Sequence, residues 1–211
     1  NDFHLVHLGS KALGGAGLVM TEMVCTSPEA RITLGCTGLY TDAQGEKWRQ
    51  IVDFVHERST AKIGVQLGHS GRKGSTRLMW EGLDVPLPHD GWEAVGPSAI
   101  PYGPDNQVPR ELSRSELDQI RDDFVGAAVR ASAAGFDLQL SGHTHAGQFF
   151  PWTLAVRLVH APHVAGLSRE GRMWVYVSAG TGSWGPPVRL GTRLELTTTL
   201  STPDVTSVAP L

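Results

Sequence analysis

Apolar residues recur at helical spacing in several stretches of the chain, and short β-branched runs lie between them. Residues 2–13 place Leu5, Leu8 and Leu13 along one stripe, and Gly14, Gly15 and Gly17 stop the pattern. The run "LVMTEMV" over 18–24 then reads as a buried strand. Residues 45–59 set Trp48, Ile51, Val52 and Val55 at helical positions on one face, and "KIGVQL" over 62–67 is a second apolar strand. Ser113 and Glu116 stand in capping-box spacing at the head of a further helix, whose stripe is Ile120, Phe124, Ala127 and Ala128. Gly135 closes that helix, and "FDLQL" follows as a strand. Helix and strand in alternation predict parallel βα units.

Two stretches break the rhythm. The Gly/Pro-rich segment 68–110 predicts a long loop with room for a hairpin, and loops of that length inside a domain usually carry function. Past residue 150, "MWVYVSAG" over 173–180 and "TRLELTTTL" over 192–200 alternate without a helix between them, which predicts antiparallel β. The Ser/Thr/Pro-rich tail, 201–211, predicts no element.

With 211 residues the chain can bury about 70% of its extended surface, enough for a real core. A net charge of −3 offers no basic face for nucleic acid, and no apolar run approaches the ~20 residues of a membrane helix. Two cysteines, Cys25 and Cys36, make no disulfide framework and no zinc spacing; thiols in a reduced cytoplasm are expected. The chain opens on Asn1 inside a helical pattern and without an initiator Met, so the sequence is expected to begin within a domain.

The stretches "HLGSKALGGAGLVMTEMVCTSPEARITLGCTGLYTD", "KIGVQLGHSGRKGS" and "RDDFVGAAVRASAAGFD" resemble the Old Yellow Enzyme type of flavin oxidoreductase, a TIM barrel carrying FMN. "RKGSTRLMWEG" and "QVPREL" narrow the likeness to the oxidoreductase domain of bifunctional salicylyl-CoA 5-hydroxylases. Read as a member of this family, residues 1–137 form a partial barrel holding strands two to four. The resemblance implies that Gln66 hydrogen-bonds the polar edge of the flavin ring, and an amide side chain does offer both donor and acceptor. It implies that the backbone at Met23 approaches the ring's N5/O4 side and that Tyr40 lines the substrate side. His69, Arg72 and Lys73 become candidates for contact with the flavin or an anionic substrate. NAD(P)H and a small-molecule substrate are the implied partners. The family's His-x-x-His after strand four falls on Gly142 and His145, so only His145 keeps the pair's role of holding the substrate.

From Leu138 onward "LQLSGHTHAGQFFPW", "VAGL", "WVYVSAGTGSWGPPVRLG" and "LELTTTL" are similar to the C-terminal end of a calcineurin-type metallophosphoesterase. That likeness implies His143 and His145 as ligands of a divalent metal such as Mn, Fe or Zn, whose bound hydroxide attacks phosphorus. Two other motifs are decoys. Gly180 to Gly185 has dinucleotide-loop spacing, but Pro186 and Pro187 forbid the helix that a pyrophosphate needs, and Gly14 to Gly17 precedes a strand.

The sequence is therefore expected to be α/β: a partial TIM barrel over 1–137, joined to a small antiparallel metallophosphoesterase element over 138–211. By lineage it is an FMN-dependent NAD(P)H oxidoreductase of the ene-reductase type, expected to hold neither centre complete. A metal-dependent phosphoesterase and a non-catalytic fusion are the alternatives.

Overall fold

The computed structural model describes residues 1–141, 151, 154, 158, 165–179, 197–199 and 208–210. Its helices are α1 (Asp2–Leu13), α2 (Asp42–Arg58) and α3 (Arg114–Ala134). Its strands are β1 (Leu18–Cys25), β2 (Thr37–Gly38), β3 (Lys62–Gly68), β4 (Val95–Gly96), β5 (Arg110–Glu111), β6 (Leu138–Ser141), β7 (Gly166–Glu170), β8 (Met173–Val177), β9 (Thr197–Thr199) and β10 (Val208–Pro210). The chain forms two compact units, both discontinuous in sequence. One comprises Asn1–Thr21, Gln50–Gln66 and Gly135–Leu211; the other comprises Glu22–Arg49 and Leu67–Ala134.

The first unit is a mostly parallel sheet with helix packed on it. Its strands lie in the order β1-β3-β6-β8-β7. β3 and β6 run parallel with Gly64 opposite Leu138, and β6 and β8 run parallel from Leu138–Trp174 to Ser141–Val177. Ile63, Val65, Val175 and Val177 point to a core shared with Leu8 and Ala12 of α1 and Ile51, Val52 and Val55 of α2. The helices meet at Gly9, where an added Cβ would stand 2.7 Å from the Phe54 ring. Phe136, 1% exposed, is the largest fully buried side chain among the described residues.

Asp137 joins three strands of this unit. Its backbone N–H donates to the Ile63 carbonyl at 2.9 Å, and its own carbonyl accepts from the Trp174 N–H at 2.8 Å. Its Oδ2 accepts the Ile63 N–H at 2.9 Å and the His56 Nε2 at 2.7 Å, while Lys62 Nζ lies 3.6 Å from Oδ1.

β8 corrects the sequence expectation for the second part. "MWVYV" is apolar on both faces and nearly all buried, the mark of an inner strand rather than a half-wet one. It accordingly adds parallel to β6, and only its other edge carries antiparallel β7, whose turn uses Gly171 at φ 59°. β9 pairs antiparallel as expected, but with β10, inside a tail that predicted no element.

The second unit is built around the loops. β2 adds parallel to the end of β1, with Val24 opposite Thr37 and Cys25 opposite Gly38. The long loop is ordered by hydrogen bonds to the 26–36 segment: Ser70 N–H to the Ala30 carbonyl, Ser70 Oγ to the Arg31 carbonyl, and Thr76 N–H to the Ile32 carbonyl, each at 2.9 Å. An antiparallel bridge between Thr76 and Pro86 supplies the hairpin, whereas β4 and β5 pair in parallel. Arg31 stacks over the Trp92 ring at 4.7 Å.

Helix ends follow local chemistry. α2 starts three residues before its apolar pattern because Thr41 and Gln44 form a capping box: Gln44 Oε1 takes the Thr41 N–H at 3.0 Å, and Thr41 Oγ1 takes the Gln44 N–H at 3.3 Å. The Ser113–Glu116 box opens α3 as expected. Along α3 the buried residues are Ala127, Ala131 and Ala134, while Ile120, Phe124 and Ala128 are half-buried, so the stripe shifts toward the C-terminal turns.

Two outcomes follow. Asp137→Ala removes a charge-assisted acceptor and should lower stability by about 2 kcal/mol, read as a reduced urea midpoint. Glu116, held at about 2 by the Ser113 N–H and hydroxyl and by Arg110, sits below its unfolded value. Its contribution is therefore full above the ordinary Glu range and is lost as pH falls toward about 2. Thermal melts of wild type and Glu116→Gln should differ at neutral pH and converge in strong acid.

Candidate functional site

The C-terminal ends of parallel strands are where this architecture gathers its chemistry, because the side chains there leave the packed layer and the loops begin. In the first unit, β3 alternates buried Ile63 and Val65 with Gly64 and Gln66 on the other face. The Gln66 N–H donates to the Thr21 hydroxyl at 3.0 Å. Its carboxamide is exposed and meets no partner among the described residues. The β3–β6 register carries Leu140, 37% exposed, to the same face. A free amide beside apolar surface can hold the polar edge of a flat ring.

In the second unit, Met23 is half-buried and its side chain lies over Gly68. A Cβ at position 68 would stand 2.4 Å from Met23 Cγ, so the glycine is what lets the methionine lie there. The Gly68 carbonyl accepts the Thr26 N–H at 3.4 Å. Tyr40 is seated in the same way on Gly38, where a Cβ would come 2.3 Å from the phenol ring and 2.9 Å from Gln44 Nε2. The Tyr40 N–H donates to Gln44 Oε1 at 2.8 Å, and Trp48 Nε1 donates to the Gly38 carbonyl at 3.1 Å. The capping box that starts α2 therefore also fixes Tyr40.

The three residues after β3 divide. Lys73 binds Asp84 Oδ1 at 3.1 Å and lies over the Tyr102 ring, and the Asp84 hydrogen bond raises its pKa further. Arg72 donates to the Ser98 hydroxyl at 3.3 Å. Both cations are thus engaged inside the loop. His69 accepts the Gly71 N–H on Nδ1 at 3.0 Å, which puts its proton on Nε2, and burial lowers its pKa and keeps the ring neutral. Among the described residues that Nε2 is buried without a hydrogen-bond partner, as are the hydroxyls of Thr26, Ser27 and Thr37. Each such group costs about 1–3 kcal/mol unless water or a ligand meets it.

Sequence reasoning missed those three hydroxyls. Two of them stand in "CTS" just after an apolar run, but nothing in the sequence marks their burial without partners. Of the predicted residues, Gln66 lies in the first unit and Met23 and Tyr40 in the second, each on its own seat. His143 and His145, expected from the sequence motif to bind metal, fall outside the described residues. Among the described residues no helix is long and apolar enough to cross a membrane.

The profile of the NADH:flavin oxidoreductase / NADH oxidase family matches residues 1–139. An NADH:flavin oxidoreductase of Gibberella zeae is 38% identical over 142 residues, covering 65% of this chain and 34% of the fungal one. An NADPH dehydrogenase of Listeria monocytogenes is 38% identical over 137 residues, covering 65% and 36%. A structure of morphinone reductase in complex with tetrahydroNAD superposes with a TM-score of 0.55 at 28% identity, covering 70% of this chain and 43% of that one. Old Yellow Enzyme from Pichia sp. shares the fold, with a TM-score of 0.54 at 24% identity over 71% of this chain and 40% of its own. The chain spans about a third of the length of the curated relatives it matches.

Gly38→Ala must displace both the Tyr40 ring and the Gln44 amide. It should cost about 1–3 kcal/mol in denaturant unfolding, and the conservative Gln44→Glu should cost less.

Proposed function

We propose that this chain, which belongs to the NADH:flavin oxidoreductase / NADH oxidase family through residues 1–139, carries the ring-binding strands of an FMN-dependent NAD(P)H oxidoreductase. The observation that supports the reading most directly is Gln66: near the end of parallel strand β3, its carboxamide meets no partner among the described residues, in a segment 38% identical to an NADH:flavin oxidoreductase. The residues present fit the ring edge of FMN, since one amide donates and accepts in a single plane. When bound, FMN supplies hydride acceptance from NAD(P)H and hydride donation to an activated double bond.

This chain's own residues orient and hold. By the family resemblance, Gln66 would hold the polar edge of the ring and the Met23 backbone would face its N5/O4 side. Gly68 keeps Met23 in place. Tyr40 lines the substrate side, steadied by Gln44. His145 keeps one position of the family's substrate-holding pair, and Gly142 stands at the other. NAD(P)H and a small activated alkene are the partners of this reading, and a cytoplasmic setting suits its reduced cysteines.

The narrower likeness to salicylyl-CoA 5-hydroxylases rests on "RKGSTRLMWEG" and "QVPREL". A boundary at 137/138, with a phosphoesterase-derived segment after it, rests on the Gly-His-Thr-His motif and on a family match that stops at residue 139.

FMN fluorescence titrated with the purified chain tests the proposal. Saturable quenching is expected, and Gln66→Ala should weaken it about tenfold, the worth of one good hydrogen bond. A wild-type chain that leaves FMN emission unchanged at every concentration ends the reading.

A further inference from the structure

At the start of β3 and β6, the opposite end of the strands from Gln66, a cavity of about 260 Å³ opens to solvent. It lies among the last turn of α2, the 59–62 segment and the turn between β7 and β8, and every lining residue belongs to the first unit. Lys62 and Gln66 stand four residues apart, about 13 Å along an extended strand, so the two places are separate.

Lys62, Arg172 and His56 line this cavity with a single carboxylate, that of Asp137. The carboxylate is already answered: Oδ2 accepts the Ile63 N–H at 2.9 Å and His56 Nε2 at 2.7 Å. The cations are not. Lys62 Nζ stands 3.6 Å from Asp137 Oδ1, near enough for attraction and too far for a hydrogen bond. Among the described residues the Arg172 guanidinium has neither an ion pair nor a hydrogen bond, although its turn is fixed. Arg169 Nε donates there to the Gly171 carbonyl at 3.1 Å, and Gly171 holds φ 59°. Ser59 Oγ is spent on the Val55 carbonyl and the Ala61 N–H, whereas the Thr60 hydroxyl has no partner among the described residues. The lining thus sets two permanent positive charges against one carboxylate whose acceptor positions are largely taken.

A metal ion is refused by the lysine and arginine, and no group of three His, Cys, Asp or Glu side chains gathers among the described residues. An apolar ligand would meet a lining in which Ala61 alone is apolar. The volume falls below the ~300–1,000 Å³ of sites for drug-sized ligands, which selects a small occupant. Donors come from the start of β3, from residue 60 and from the β7–β8 turn, and so from several sides. A tetrahedral phosphate offers oxygens in several directions, where a planar carboxylate offers two in one plane. An arginine fork beside a lysine point charge suits the former.

We propose that this cavity is a phosphate-binding site, taking inorganic phosphate or the phosphate group of a small monoester. Arg172 and Lys62 supply the charged donors and Thr60 a hydroxyl, while Asp137 positions Lys62. The site is independent of the flavin reading.

Phosphorus NMR of the full chain, without flavin and with sodium chloride holding ionic strength constant, tests the assignment. Added protein should broaden the signal of inorganic phosphate, or of glycerol phosphate, and the effect should saturate. The lower of the two dissociation constants identifies the source of the phosphate group. Arg172→Gln and Lys62→Gln should each weaken binding at least about tenfold, the worth of one charge-assisted hydrogen bond. Arg121→Gln, the same charge loss on exposed α3, should leave it unchanged. Excess succinate should not restore the narrow signal. A wild-type chain that broadens neither phosphate signal overturns the proposal without any variant. So does succinate competing as well as phosphate, or an Arg121→Gln effect equal to that of Arg172→Gln.

Discussion

The structure depends most on a single carboxylate at the start of β6. Asp137 uses its backbone donor, its backbone acceptor and its side chain to fasten β3 on one side and β8 on the other. Parallel strands cannot be joined by a tight turn, so their register has to be set by something other than connectivity. Here the side chain of Asp137 duplicates the backbone ladder at the point where β3 begins, and a slip of one residue would break both links together. That slip would also turn Ile63 and Val65 out of the core and bring Gln66 into it. The placement of the candidate flavin-binding amide is thus a consequence of register, and register is a consequence of Asp137.

Much of this architecture was legible in the chain itself. Leu8, Ile51, Val52 and Val55, and the apolar runs of β1 and β3, lie where their periodicity puts them, because burial of one stripe is a local, repeating demand; Leu13, expected on the α1 stripe, is exposed, and Ala12 is buried instead. The start of α2 was misplaced because the apolar pattern begins after the helix does. The polar pair Thr41 and Gln44 holds the first turn. β8 was misread because a run apolar on both faces looks the same in a buried parallel strand as in a sandwich strand. The loop over 68–110 could not have been ordered from its sequence at all. Its shape comes from hydrogen bonds to carbonyls about forty residues away in sequence, such as Thr76 to Ile32, and such partners leave no periodic trace.

The candidate site divides in the same way. Gln66 is visible as a polar residue ending an apolar strand, and family resemblance gives it a role. What no pattern announces is that Arg72 and Lys73 are already committed to Ser98 and Asp84, while the hydroxyls of Thr26, Ser27 and Thr37 are buried and unanswered. Charge in a loop draws attention in a sequence, yet in the folded chain the small neutral groups are the ones left with unused hydrogen-bonding capacity.

Gly38 and Gly68 each lie beneath a neighbour's side chain, Tyr40 in one case and Met23 in the other. A single nucleotide change in a glycine codon nearly always adds a β-carbon, and at these two sites every such carbon collides. A side chain at either position would have to displace the ring or the thioether above it, so the size allowed at 38 and 68 is tied to where Tyr40 and Met23 lie.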